Sequence, residues 1–496
     1  MNHEVRRAGV VFLIFLSLTS IGAAAEFPRS EPEAQGVSSA DVLAFVDAAD
    51  KQLDGMHSLM VVRHGKVVTE GWWTPYAAAH NHLLYSLSKS FTSTAVGFAV
   101  AEGKLSIDDE VLKFFPEDAP SNPSDNLKAM RVRDLLMMSA GHQDEISWVA
   151  NKLSAKAFLE NPVPHKPGTH FKYNTPATFM LSAIVQKQTG QTVLDYLRPR
   201  LFEPLGIEHP VWDANFQGIS LGGYGLRVRT EDIARFGQLY LQRGKWQDRQ
   251  LLPPEWIDLA TSRQTSNGSN PQSDWDQGYG FQFWRCRHGA YRGDGAFGQY
   301  CIVLPQQDAV IAITSGVKDM QAVLNLVWDK LLPAFRAETL PADEVHCKQL
   351  AQKLGSLKLR TADGQETSPL AAKIAGRKFV FAQNDQKLES LTLAAGDTPN
   401  GVTLVTRIAG KESCYPCGYR DWKCGRGVFG DLPDEPVAGT VAWAADDTCV
   451  IRLCAYETPS QITLRLKFEG DRVTLSSEAD ATFGPAKRGP LTGKAE

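Results

Sequence analysis

Apolar positions fall into two kinds of period along the chain. "SLMVVRHGKVVTEGWW" reads as two strands joined at Gly65, and "CIVLPQQDAVIAITSG" as two more around Pro305 to Asp308. Between these pairs, "MRVRDLLMMSAG" and "TEDIARFGQLYLQRG" carry the helical spacing, each closed by a glycine suited to a helix end. Strands at both ends of a segment with helices between them predict an α+β fold, in which the two ends build one antiparallel sheet packed against a helical region. After residue 332 the pattern changes. "PAFRAETLPADEVH", residues 333–346, carries two prolines and scattered charge and reads as a linker. Beyond it "QITLRLKF" alternates strictly, with Ile462, Leu464, Leu466 and Phe468 on one face. "KFVFAQ", "LESLTLAA", "GVTLVTRIA" and "GTVAWAADDTCVIRLCAYE" add further short strands, so residues 347–496 are expected to form an all-β domain, a barrel or a sandwich.

The N-terminus differs from the rest. Arg6 and Arg7 precede "AGVVFLIFLSLTSI", and Ala23 to Ala25 supply the small residues of a cleavage site. Residues 1–25 are therefore expected to be a signal peptide, leaving a mature chain in the periplasm or secreted, with no stable membrane insertion; the apolar run is shorter than the ~20 residues a spanning helix needs. Composition changes little else. At 43% hydrophobic and 22% charged the 496 residues are ordinary for a globular protein, and a net charge of -4 gives no reason to expect nucleic acid or an anionic membrane as partner. Eight cysteines in an oxidising compartment favour disulfides, with Cys286 to Cys301 the local guess. Zinc is the weaker alternative, because "CYPC" has no histidine nearby.

Three stretches carry candidate chemistry. In "LLYSLSKSFTSTAVGFAVAEGK", Ser86 and Lys89 stand three apart at the start of a predicted helix and so share one face. Free backbone N–H groups there favour negative charge, and a desolvated lysine can take a serine's proton. By itself the S-x-x-K spacing is common, and a capping serine with a solvated lysine is its commoner explanation. The second stretch, "PGTHFKYNTPATFMLSAIVQKQTG", brings Tyr173 through a Pro-Gly turn to the start of another helix, with Thr175 two residues on. A tyrosine can shuttle protons where a cation such as Lys89 stabilises its phenolate. The third, "YRGDGAFGQYCIVLP", places glycines at 293, 295 and 298 ahead of a strand, where the backbone can approach a ligand and offer an N–H to an oxyanion.

In this order the three stretches resemble the serine β-lactamase and penicillin-binding protein superfamily, in particular its class C-like esterases and 6-aminohexanoate-dimer hydrolases, whose signature is S-x-x-K, then Y-x-N or Y-x-S, then a K-T-G-like triplet. "RVRDLLMMSAGH", "GGYGLRVRTEDIARFGQLYL" and "GYGFQFW" also look like that family. The resemblance covers residues 26–332 and implies a β-lactamase-like domain there. It makes Ser86 the acylated nucleophile, with Lys89 and Tyr173 as the base pair and the N–H groups of Ser86 and Ala296 as the oxyanion hole. Thr175, Tyr224, Trp148, Asp294 and Gly295 become substrate-binding candidates, and Trp284 a further pocket wall. No metal or organic cofactor is implied. Two departures bear on the substrate. Thr175 replaces Asn or Ser, and glycine at 293 removes the cation that would grip a penicillin's carboxylate. Arg292 adjoins it, but neighbouring strand residues point to opposite faces. The expectation is thus an exported serine hydrolase of ester or amide bonds in small substrates. A β-lactamase or D-Ala-D-Ala peptidase, and a silent ligand-binding member of the fold, are the alternatives. Contact with cell wall or carbohydrate through the β domain is left open.

Overall fold

The computed structural model describes residues 27–396, 401–430 and 432–496; the expected signal peptide lies outside the described residues. A six-stranded antiparallel sheet organises the first part. Its strands are β1 (Met56–Arg63), β2 (Lys66–Trp72), β3 (Trp284–Arg285), β4 (Tyr291–Gly295), β5 (Gln299–Leu304) and β6 (Ala309–Ser315), in the spatial order β2-β1-β6-β5-β4-β3. The strand pairs from the two ends meet where β1 runs beside β6, with Leu59 opposite Ile313 and Val61 opposite Ile311. Both faces are covered, which explains why β1 and β6 read as continuous apolar runs rather than alternating ones.

The period of two divides the side chains between two cores. Met60, Val62, Cys301, Val303, Val310 and Ala312 face helices α2 (Ser88–Ala101), α3 (Thr175–Thr189) and α4 (Thr230–Leu241), whose Phe91, Phe179 and Phe236 fill that side. Leu59, Val61, Tyr300, Ile302, Ile311 and Ile313 face α1 (Ser39–Gln52), α5 (Met320–Leu326) and α6 (Glu344–Gly355). The result is helix, sheet, helix in three layers, matching the α+β expectation.

This arrangement corrects the disulfide guess. Cys286 and Cys301 belong to different cores on opposite sides of the sheet, and β4 runs between β5, which carries Cys301, and β3, which ends just before Cys286. Cys301 Sγ instead donates to the Ile233 carbonyl, while Cys286 Sγ accepts from Arg292. All eight cysteines are free thiols in the structure. Cys414 is exposed and Cys417 buried, as an odd spacing along a strand requires, so the two sulfurs of "CYPC" cannot share one ligand.

The segment expected to be a linker, residues 333–346, is mostly exposed, with Ala334 its one buried residue. Helix α6 spans the proposed boundary at residue 347 and buries Leu350 in the α1 core, with Asp343 capping its first turn. The β domain proper begins at Lys378, where ten antiparallel strands running to Ala495 close into a barrel rather than a sandwich. Phe379, Leu391, Leu404, Trp443, Leu466, Phe468 and Val473 fill its interior. Trp422, Ala438 and Cys454 on its outer wall join the α1 side of the sheet, so barrel and sheet share one core. Near that seam Tyr76 Oη donates to the Thr458 carbonyl at 2.7 Å, and Arg227 pairs with Glu435 at 3.2 Å with both side chains nearly buried.

Candidate active site

Ser86 lies in a short 3₁₀ turn, Tyr85–Leu87, that runs directly into α2, one step ahead of the regular helix expected to hold it. The residues before it, His82–Leu83, are extended and pair with Leu226–Val228. Lys89, three residues on, is 1% exposed. Its Nζ donates to Ser86 Oγ at 3.0 Å, to Thr175 Oγ1 at 3.3 Å and to the Gly223 carbonyl at 2.8 Å. Burial pushes the ammonium down to about 7, against the opposing fields of Glu145 and Asp294. Near neutrality a large fraction of Lys89 is therefore the free amine, placed to take the serine's proton.

Tyr173 follows the turn that leads into α3, where Asn174 caps the helix by accepting from Ala177 N. The phenol ring stacks on Trp284 with centroids 5.3 Å apart, and Lys89 Nζ stands 4.9 Å over its face. The structure alters its expected role. Burial, reinforced by the negative charge of Asp294, drives the phenol well above its ordinary value, and the opposing hydrogen bond with Ser86 does not offset this. Tyr173 is thus a protonated phenol, suited to donate a proton rather than to rest as a phenolate held by Lys89.

Strand β4 completes the site by lying against the turn that carries Ser86. A Cβ on Gly295 would collide with the Leu84 carbonyl, and one on Gly293 would come within 2.5 Å of Leu87 Cδ1 and of Ser90 Oγ. Glycine at both positions is what lets the strand sit against the turn that carries the nucleophile. No lysine fits at 293. Arg292 and Asp294 point the other way, as the pleat requires: Arg292 Nε and Nη2 meet Asp294 Oδ2 at 2.9 and 2.8 Å, both side chains buried. Asp294 is therefore brought to the site with its carboxylate engaged by Arg292, and acts on Tyr173 and Lys89 through its charge. Trp275 stacks on the same guanidinium, 4.5 Å from ring centroid to Cζ.

The other expected residues also converge. Tyr224 Oη donates to the Trp148 carbonyl at 2.6 Å, and the two rings meet edge to face at 5.6 Å. Sequence reading missed Glu145, whose carboxylate accepts from Thr175 N at 2.6 Å at the start of α3, near Lys89. It also missed Gly223, whose carbonyl holds Lys89; only its place in "GGYGLRVRTED" hinted at this. Among the described residues no cluster of three or more His, Cys, Asp or Glu could hold a metal, and no helix is long and apolar enough to cross a membrane.

A family model described as Beta-lactamase matches residues 44–324, which spans every group just placed. The chain belongs to the beta-lactamase family. Within it, the 6-aminohexanoate-dimer hydrolase of Paenarthrobacter ureafaciens is 24% identical over 286 residues, covering 53% of this chain and 73% of the relative. A protein of Escherichia coli K12 named putative D-alanyl-D-alanine carboxypeptidase is 24% identical over 333 residues, covering 50% and 76%. The fold is shared with the putative 6-aminohexanoate-dimer hydrolase from Bacillus anthracis at a TM-score of 0.52, with 20% identity over 64% of this chain and 90% of that one. A putative beta-lactamase from Bacteroides dorei superposes at 0.51, with 18% identity over 59% and 98%. These matches place the chain in a family of beta-lactamase-fold hydrolases and leave the substrate to its own residues.

Proposed function

We propose that the chain is a serine hydrolase that cleaves ester or amide bonds of small substrates through a Ser86 acyl-enzyme. The observation that carries this reading is the buried Lys89 amine 3.0 Å from Ser86 Oγ, held down to about 7 by desolvation. Ser86 Oγ attacks the carbonyl carbon as its proton passes to Lys89. The oxyanion rests on the N–H groups of Ser86 and Ala296, and the leaving group departs with a proton from Tyr173. Water then attacks the acyl ester along the same path in reverse. Residues Thr175, Tyr224 and Trp148 would line the bound substrate. An amide as well as an ester is included because a relative is named for hydrolysing the 6-aminohexanoate dimer.

Peptidase or β-lactamase activity is the less favoured reading. Its substrates end in a carboxylate, and Arg292, the cation adjoining the triplet in sequence, is buried against Asp294. Export to the periplasm or beyond is part of the proposal, supported by the arginine-led apolar N-terminus; cell fractionation checks it.

The test is steady-state hydrolysis of p-nitrophenyl butyrate and a chromogenic cephalosporin, each with the protein and with Ser86→Ala. Ester turnover that the variant loses, with slow cephalosporin cleavage, is the expected result. Fast cephalosporin cleavage would show that some other group holds the carboxylate, and silence on both would favour a ligand-binding role.

A further inference from the structure

Five aromatic rings meet at one place, and four of them adjoin residues of the site in sequence. Tyr85 precedes Ser86, Phe297 follows Ala296, Tyr224 follows Gly223, and Trp148 stands in the loop that carries Glu145. The fifth, Phe483, comes from the barrel. Its ring centroid lies 5.6 Å from that of Tyr85, 5.6 Å from Trp148 and 5.0 Å from Phe297. Tyr85 meets Phe297 at 5.6 Å and Trp148 meets Tyr224 at 5.6 Å, so the contacts form one continuous chain of rings.

The backbone is bent to hold them there. Tyr85 and Phe297 are both left-handed, with φ of 45° and 65°, a conformation unfavourable for bulky residues that persists only where the surroundings enforce it. The barrel loop is held just as firmly: Ala481 is buried, its carbonyl accepts from Ser460 Oγ at 3.0 Å, and Asp480 N donates to the Gln461 carbonyl at 3.0 Å. Yet Phe483 remains 62% exposed and Trp148 38%. Large rings anchored at their bases, left open to solvent and carried next to site residues along the chain describe an apolar binding surface rather than a core.

We propose that this collar selects substrates bearing an aryl or long alkyl group next to the scissile bond, and that Phe483 is the specificity residue the barrel contributes to it. The inference rests on the serine hydrolase reading and deepens it. It also gives the barrel a function, since without it the collar would lack its central ring.

Its test uses the full chain and two substrate pairs, p-nitrophenyl phenylacetate against p-nitrophenyl acetate and benzyl acetate against methyl acetate. The readout is the ratio of kcat/KM within each pair. Phe483→Ala is expected to lower the aryl-to-methyl ratio about 10-fold in at least one pair. Phe483→Trp should restore most of it, which a merely misfolded loop would not allow. Labelling of Ser86 by a fluorophosphonate is followed in parallel. Labelled protein whose ratios do not change in either pair would overturn the collar alone; failure of the unsubstituted chain to label or to turn over any ester would overturn the hydrolase reading and the collar with it.

Discussion

At the scale of single residues the decisive quantity is the charge state of Lys89. The free amine must be present for Ser86 to lose its proton, so kcat/KM for an ester is expected to rise with pH through about 7 and to level off above it. A pH profile with no inflection near that value would contradict the assignment of Lys89 as base. The same shift affects stability. Folding depresses the lysine below its ordinary value, so between about 7 and the unfolded value the unfolded chain binds more protons, and this group's contribution to stability grows as pH rises through that window. Lys89→Met should therefore abolish turnover yet unfold at an equal or higher temperature than the parent chain at pH 6, as calorimetry would show. Tyr173→Phe keeps the ring stacked on Trp284 and removes only the proton donor, so kcat should fall by about 10² to 10⁴ while the fold is unchanged. The nucleophile and its lysine were legible because a helix converts a spacing of three into proximity. Glu145 was not, since nothing local in "HQDEISW" links it to Thr175, thirty residues on.

At the scale of elements the close approach of β4 to the Ser86 turn sets the site's geometry. Gly293→Ala would force a methyl group against Leu87 and Ser90 and is expected to destabilise the chain by about 1–3 kcal/mol, measured by denaturant unfolding. It should also lower kcat more than it raises KM, because the oxyanion donor moves with the strand. Strand pairs of the sheet were readable from their apolar runs and the turns at Gly65 and Pro305. Three barrel strands were not: Lys411–Gly418, Lys423–Phe429 and Lys487–Ala495. They contain Pro416, Gly425, Gly427 and a Gly489-Pro490 pair, which read locally as turn chemistry. The fold explains two of these. Gly425 leaves room for the Pro416 ring and Gly427 for the ring of Tyr415 on the paired strand, contacts that exist only once the barrel has closed.

At the scale of the molecule, the seam between sheet and barrel is where further behaviour is expected. His57 stacks on Tyr76 at 3.8 Å and its Nδ1 lies 3.1 Å from His82 Nε2, all three buried. Burial holds His57 well below its ordinary value and His82 at about 3. Below about 6.5 the unfolded chain takes up protons that the folded pair refuses, so stability should fall as pH drops from there toward 4. His57→Leu would flatten part of that slope in a series of thermal melts; an unchanged slope would remove the pair from the account. The compartment expectation of disulfides misled because it counted cysteines without knowing their faces: the sheet keeps Cys286 and Cys301 apart.

Short-range stereochemistry along the chain already encodes the strand pairs, the helical turn that joins Ser86 to Lys89, the glycines before Ala296 and the alternation that makes the second domain all β. Tertiary structure decided the rest. Only packing could say that the barrel closes and shares a core with the sheet, that Lys89 is desolvated enough to be a base, that Tyr173 stays protonated, and that Phe483, nearly four hundred residues on, meets the ring of Tyr85, the residue before Ser86. Burial and electrostatic fields are sums over neighbours brought from distant parts of the chain, and no local pattern records them.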